Sequence, residues 1–301
     1  MIKKKILIIG GTGFIGYHLM KFLKKKKFFI TSFSTNKPRK IRLLRKVNYI
    51  EGNIAEINDL KVLKNENFNY IVNLGGYVDH SNKKLTYKSH YLGCVNLVKI
   101  FKSKDINSFI QIGSSLEYGN LKSPQKEHKE RKVKSIYAKS KLLATKYLLK
   151  NYRLNKFPAI ILRGYQVYGP RQDPNRLIST VIINCIKNNS FPCSSGNQTR
   201  DFLHVDDFVE AIYKSLDNKK AKGKIFNIGY GEPKKVKDII NIIKKIINKG
   251  KPKFNVLKLR KDETMSLYPS ISSAKKIIKW KPRIRLLDGI KQTIRDYKKN
   301  I

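Results

Sequence analysis

The most constraining feature of this chain is its opening turn. Ile6-Leu7-Ile8-Ile9 runs into Gly10, Gly13 and Gly16, and a helical pattern continues from Tyr17 to Leu23. Four consecutive apolar residues read as a strand buried on both faces, as in a parallel sheet. Each glycine of the G-x-x-G-x-x-G spacing answers a separate demand. The first lets the chain turn sharply, the second lets backbone N–H groups approach a pyrophosphate, and the third lets the new helix pack on the strand. The positive end of that helix then faces the phosphates. A glycine triplet alone is a weak signal, but lying between a strand and a helix it predicts a dinucleotide site built from Gly10, Gly13, Phe14, Ile15 and Gly16.

The 301 residues suffice for one large domain or two that share a core. The 41% hydrophobic fraction, with 16 Tyr and 14 Phe, is that of a folded protein. No apolar run reaches the roughly 20 residues needed to span a membrane. Lys3 to Lys5 before Ile6 to Ile9 resembles a signal peptide only superficially, because the apolar run is short and ends in helix-starting glycines. Cys94, Cys185 and Cys193 show no ligand spacing, so a reducing cytoplasm without metal or disulfides is expected. Lys and Arg number 65 against 21 Asp and Glu, a net charge of +44. Such a balance suits nucleic acid or an anionic membrane. The cations are spread through helices and loops, however, and Lys, Asn and Ile are abundant together, so a compositional bias is the reading taken. Polyanion or membrane association is kept as an alternative.

Strand and helix signals alternate along the chain, which predicts an α/β, doubly wound parallel sheet. The second strand, Phe28 to Phe33, is followed by Ser34, Thr35, Asn36, Lys37 and Arg39. The acid that would bond the ribose hydroxyls of NAD is missing there, and hydroxyls with cations suit a 2′-phosphate, so NADP is expected over NAD. Val47 to Ile50 reads as a third strand leading to Asn53 and Ile54. Tyr70 to Gly76 reads as a fourth, whose Leu74 and Gly75 let a cofactor lie close to the backbone. One helix is expected from about Leu85 to Lys102, carrying His90. A fifth strand, Phe109 to Gly113, places Ser114 and Ser115 at its C-terminal end, where ligands bind in open parallel sheets. Tyr137 and Lys141 lie four apart on the next helix and share a face.

With the glycine triplet, Gly113-Ser-Ser-Leu-Glu-Tyr-Gly119, Tyr137-x-x-x-Lys141, Arg163-Gly-Tyr-Gln-Val-Tyr-Gly-Pro-Arg171, Arg200-Asp-Phe-x-His-Val-Asp-Asp207 and Asn227-Ile-Gly229 in order, the chain resembles the extended short-chain dehydrogenase/reductases, the NAD(P)-dependent nucleotide-sugar epimerase/dehydratase family. The resemblance covers nearly the whole length. It implies a Rossmann-type domain over 1–165 plus about 201–228, and a smaller C-terminal substrate-binding part over about 166–200 and 229–301. It implies catalysis by a serine, Tyr137 and Lys141, with Tyr137 and Lys141 also touching the cofactor. Counting back from Gly119 favours Ser114 as the serine; a loop one residue shorter would give Ser115, otherwise a substrate contact.

An isolated tyrosine is a poor base at neutral pH, and a neighbouring ammonium together with the positively charged oxidised nicotinamide lowers its pKa. The resemblance further implies that Gln166, Arg200 and Arg260 hold a nucleotide-diphosphate sugar, the arginines by bidentate contact with phosphate, and that the protein is a homodimer. Two departures matter. The acidic pair of family dehydratases is replaced by Ser115 and Leu116, with Glu117 one step late, and His90 stands where relatives usually have Asn. The expected activity is therefore hydride transfer at a sugar carbon, C4 above others, by a 4-epimerase or 4-ketoreductase. The alternatives are a 4,6-dehydratase and a non-catalytic dinucleotide sensor.

Overall fold

The computed structural model describes residues 4–77, 79, 81–129, 131–259 and 263–300. Its main sheet contains β1 (Lys5–Ile9), β2 (Phe29–Ser34), β3 (Asn48–Glu51), β4 (Tyr70–Asn73), β5 (Ser108–Ser114) and β6 (Ala159–Gly164). After the short strands β7 (Gln166–Tyr168), β8 (Ser190–Pro192) and β9 (Thr199–His204), the chain returns to add β10 (Lys224–Ile228). All seven strands are parallel, in the order β10-β6-β5-β4-β1-β2-β3. This is the Rossmann-type arrangement, with its topological switch between β1 and β4.

The four apolar residues of β1 show why the sheet is buried on both sides. Ile6 and Ile8 enter the core on one face, with Leu19, Val72 and Phe208. Leu7 and Ile9 enter the opposite core, with Phe33, Leu97 and Ile161. The period of two along a strand divides them in this way, and each buried side chain contributes about 2 kcal/mol of transfer free energy. The helices covering the faces are α1 (Phe14–Lys25), α2 (Lys83–Tyr87), α3 (Gly93–Phe101) and α4 (Ile136–Asn155), with α6 (Val205–Leu216) following α5 (Leu177–Ile186). The helix expected over 85–102 is instead divided: a π-helical turn, Lys88–Leu92, separates α2 from α3. Just after the division Gly93 packs on Ile54, whose side chain would lie 2.6 Å from a Cβ at residue 93.

A third core is formed by α5, α7 (Val236–Ile247) and α9 (Leu286–Asn300), among them Ile182, Ile239, Ile243 and Ile294. Beside it, β9 joins β7, β11 (Pro233–Lys235) and β13 (Ser266–Leu267) in a small sheet, while β12 (Lys251–Lys253) pairs β8. The segment 201–204 therefore lies in the small sheet, and the return to the main sheet begins with α6. Short α8 (Ser272–Ile277) leads to buried Trp280, whose indole N–H donates to the Asp207 carbonyl at 3.0 Å.

Candidate active site

The site lies along the C-terminal ends of the parallel strands. Gly10 turns the chain at φ +75°, and its Cα faces the Leu74–Gly75 backbone, with a Cβ there only 3.2 Å from Leu74 C and Gly75 N. Gly16 packs α1 onto the turn so closely that a Cβ would fall 2.4 Å from Gly10 O and 2.5 Å from Gly11 Cα. Gly13 is the N-cap of α1 and supplies no side chain, and the first turn holds no acid. The free N–H groups and positive end of α1 are thus left for an anion, which is what a pyrophosphate requires. Ile54 and Gly75 meet behind this turn, and Asn53 opens the adjoining loop by accepting the Ala55 N–H at 3.0 Å. These residues fit a dinucleotide.

At the end of β2, buried Ser34 accepts the Thr12 N–H at 3.4 Å, and no carboxylate occupies that strand end. Arg39 is exposed and pairs with Asp173. The same carboxylate holds buried Arg42 at 3.1 Å.

Ser114 ends β5 and caps the short turn Ser115–Tyr118, its Oγ accepting the Leu116 N–H at 3.2 Å. Ser135 starts α4 by accepting the Ala138 N–H at 3.2 Å, which puts Tyr137 in the first turn and Lys141 one turn later. Ser114 lies close enough to Tyr137 to pull its phenol down, and Ser115 is buried next to it in the chain. The Tyr137 ring stands edge-on to His90 at 4.9 Å, and His90 Nε2 lies 3.2 Å from the Tyr77 carbonyl. Lys141 is buried and donates from Nζ to the Ile112 carbonyl at 2.7 Å.

Burial lowers the Lys141 ammonium to about 8, opposed by attraction to Glu117. Burial raises the Tyr137 phenol above its ordinary value, while Ser114 pulls it down, Glu117 pushes it up and Arg176 pulls it down. The lowered phenol expected from a neighbouring lysine is therefore not produced by these protein groups on their own: the Lys141 ammonium is directed at Ile112, and burial outweighs the pull of Ser114. Arg176, at the N-cap of α5, was not singled out in the sequence, where it is one cation among 65 Lys and Arg. The fold alone brings it near Tyr137.

The expected sugar-nucleotide contacts are placed less uniformly. Gln166 is exposed at the start of β7, and Ser115 is buried beside Ser114. Arg200 is buried, pairs with Glu263, and donates to the Thr199 and Thr264 carbonyls, both at 2.7 Å. Its guanidinium is thus already engaged within the protein. Arg260 lies outside the described residues. Among the described residues, no cluster of His, Cys, Asp or Glu is placed to hold a metal, and no helix is long and apolar enough to cross a membrane.

A Rossmann-type sheet carrying an uncapped, glycine-cradled helix end and a Ser-Tyr-Lys set at its C-terminal edge defines the NAD(P)-dependent dehydrogenase/reductase class. Within that class, residues 6–229 match the NAD dependent epimerase/dehydratase family model, and the chain belongs to that family. It is 34% identical over 172 residues to human dTDP-D-glucose 4,6-dehydratase, covering 54% of this chain and 48% of that protein. It is 32% identical over 143 residues to UDP-glucuronate 4-epimerase of Thermodesulfobacterium geofontis, covering 47% and 43%. The chain thus spans about half the length of these curated relatives. The solved UDP-glucuronic acid 4-epimerase of Bacillus cereus, in complex with UDP-glucuronic acid and NAD, superposes with a TM-score of 0.88 at 25% identity over 99% of this chain and 100% of that one.

Proposed function

We propose that this protein is an NAD(P)-dependent enzyme acting on a nucleotide-diphosphate sugar by hydride transfer at C4, as a 4-epimerase or a 4-ketoreductase. The observation that supports the reading is Ser114 at the end of β5 beside Tyr137 in the first turn of α4, with Lys141 one turn further along. When bound, the nicotinamide supplies the hydride chemistry. Tyr137 moves the proton of the sugar hydroxyl, Ser114 orients that oxygen, and Lys141 carries the positive charge that favours the phenolate. Gly10, Gly13, Phe14, Ile15 and Gly16 hold the pyrophosphate, with Asn53, Ile54, Leu74 and Gly75 lining the cofactor.

Dehydration fits less well. Leu116 stands where an acid is needed, and Glu117 is bonded to Arg163 at 2.9 Å inside the protein. Arg200 grips the diphosphate after exchanging Glu263 for phosphate oxygens, with Gln166, Ser115 and Arg260 completing the sugar-nucleotide side. The division of labour places the dinucleotide on 1–165 and the return through β10, and the sugar nucleotide on the remainder. Dimerisation through the first domain's helices is supported by half-exposed Leu85 on α2 and Leu143 on α4. A cytoplasmic location agrees with three buried free thiols.

The test is turnover of a panel of nucleotide sugars and nucleotide 4-keto sugars, with and without NADPH. Stoichiometric NADPH loss on a keto sugar identifies the reductase; conversion without net cofactor change identifies the epimerase. Turnover of no member, or release of a 4-keto-6-deoxy sugar, overturns the reading.

The missing acid after β2 and the exposed Arg39 cation support NADP over NAD. Replacing Arg39 by Ser is expected to weaken NADPH about tenfold, the loss of one charge-assisted bond, and to leave NADH unchanged. Fluorescence titration of both cofactors measures this, and equal losses contradict it.

A further inference from the structure

Behind the Ser-Tyr-Lys set lies a buried ion pair that the proposed chemistry does not use. Glu117 and Arg163 are 0% and 2% exposed. One Glu117 oxygen accepts the Ser114 backbone N–H at 2.7 Å. The other accepts the Thr145 hydroxyl at 2.7 Å and the Arg163 Nε and Nη2 at 3.0 and 2.9 Å. Arg163 comes from β6, and its guanidinium lies over the Tyr118 ring at 4.3 Å. Thr145 lies one turn beyond Lys141 on α4. Gly113 is what makes room, since a Cβ there would fall 2.5 Å from the Glu117 carboxylate. A buried pair of this kind is poor evidence of added stability, because desolvation offsets the attraction. It does hold geometry tightly, because each oxygen is satisfied by a different element.

We propose that Glu117 is a positioning residue for the reaction: with Arg163 as its counter-charge, it ties the backbone of Ser114 on β5 to Thr145 on α4, and so fixes the serine hydroxyl against Tyr137 and Lys141. The inference rests on the catalytic reading of those three residues. Its electrostatics agree, since the same carboxylate helps Lys141 keep its proton and raises the Tyr137 phenol. The other groups facing these two are Cys94 at Lys141 and Arg176 at Tyr137.

The experiment compares Thr145→Val, Thr145→Ser, Glu117→Gln and Tyr137→Phe with the wild type. Glu117→Gln leaves Arg163 buried without its counter-charge and risks unfolding; Thr145→Val removes only the hydroxyl. Thr145→Val is expected to keep KM and cofactor affinity and to lose about tenfold in kcat, with Thr145→Ser restoring it; a misplacement near 1 Å costs up to about 100-fold. In Glu117→Gln, the alkaline limb of the kcat/KM profile moves to lower pH as Lys141 gives up its proton more easily. Wild-type kcat in Thr145→Val beside an inactive Tyr137→Phe overturns the positioning role alone, whereas a fully active Tyr137→Phe overturns the catalytic reading beneath it. A readout without substrate is the ultraviolet difference titration of wild type minus Tyr137→Phe, repeated in the Glu117→Gln background. Its midpoint falls when the carboxylate charge is removed, and an unmoved midpoint overturns the coupling.

Discussion

Tyr137→Phe is expected to lower kcat about 1,000-fold, within the range that a positioned acid–base group supplies, while the protein stays folded and loses far less in cofactor affinity than in turnover. The ring remains, and with it the edge contact to His90 at 4.9 Å. What disappears is the hydroxyl beside Ser114, the group proposed to move the proton while hydride moves at carbon. Uncatalysed proton transfer to water is then the only route, and both epimerisation and ketone reduction need that transfer. A sensor built on the same fold needs no phenol and loses nothing in this variant. Steady-state turnover beside cofactor titration separates the two, and retention of full activity contradicts the assignment.

Gly16→Ala is the second large effect. A Cβ at this position would meet Gly10 O at 2.4 Å and Gly11 Cα at 2.5 Å. Both obstacles are backbone, held in turn by Gly10 N–H donating to Phe33 O at 2.8 Å and Gly13 N–H to Gly10 O at 3.1 Å. No flexible side chain can move aside, so α1 must lift from β1. The expected cost is about 3 kcal/mol of stability, as in severe overpacking, together with loss of cofactor binding by more than about 100-fold. Gly13→Ala is the control. Its Cβ comes no closer than 3.3 Å to Gly10 O, so the fold survives, while the added methyl stands where backbone N–H groups approach the pyrophosphate. Thermal unfolding and cofactor titration of the two variants check this; equal melting temperatures contradict the packing role of Gly16.

The contrast between these two sites shows what a sequence discloses here. The turn was legible because much of its demand is local: Gly10 takes a positive φ and Gly16 meets the backbone of Gly10 and Gly11, all within seven residues. Tyr137 and Lys141 were legible because helical spacing alone puts them on one face. The parallel, doubly wound character of the main sheet followed from alternating strand and helix signals. Counting back from Gly119 favours Ser114 over Ser115 but does not give the path of the Ser115–Tyr118 turn, where Glu117 folds back to the Ser114 N–H. Glu117 itself read only as an acid one step out of place, because its partners Thr145 and Arg163 are 28 and 46 residues away. Arg200 read as a free phosphate-binding cation, but the structure gives it Glu263 and the Thr264 carbonyl from distant chain, besides the carbonyl of adjacent Thr199. Tertiary proximity, not residue type, decides each of these cases.

In the proposed reaction the hydrogen at C4 of the sugar travels as hydride between substrate and nicotinamide. The most direct measurement is the source of that hydrogen in product formed in heavy water, read by mass spectrometry and proton NMR of the C4 position. The account predicts protium at C4 for either reaction, because the atom comes from the cofactor and Tyr137 exchanges only the hydroxyl proton. Deuterium from solvent at C4 would mean deprotonation at carbon instead, and would contradict it.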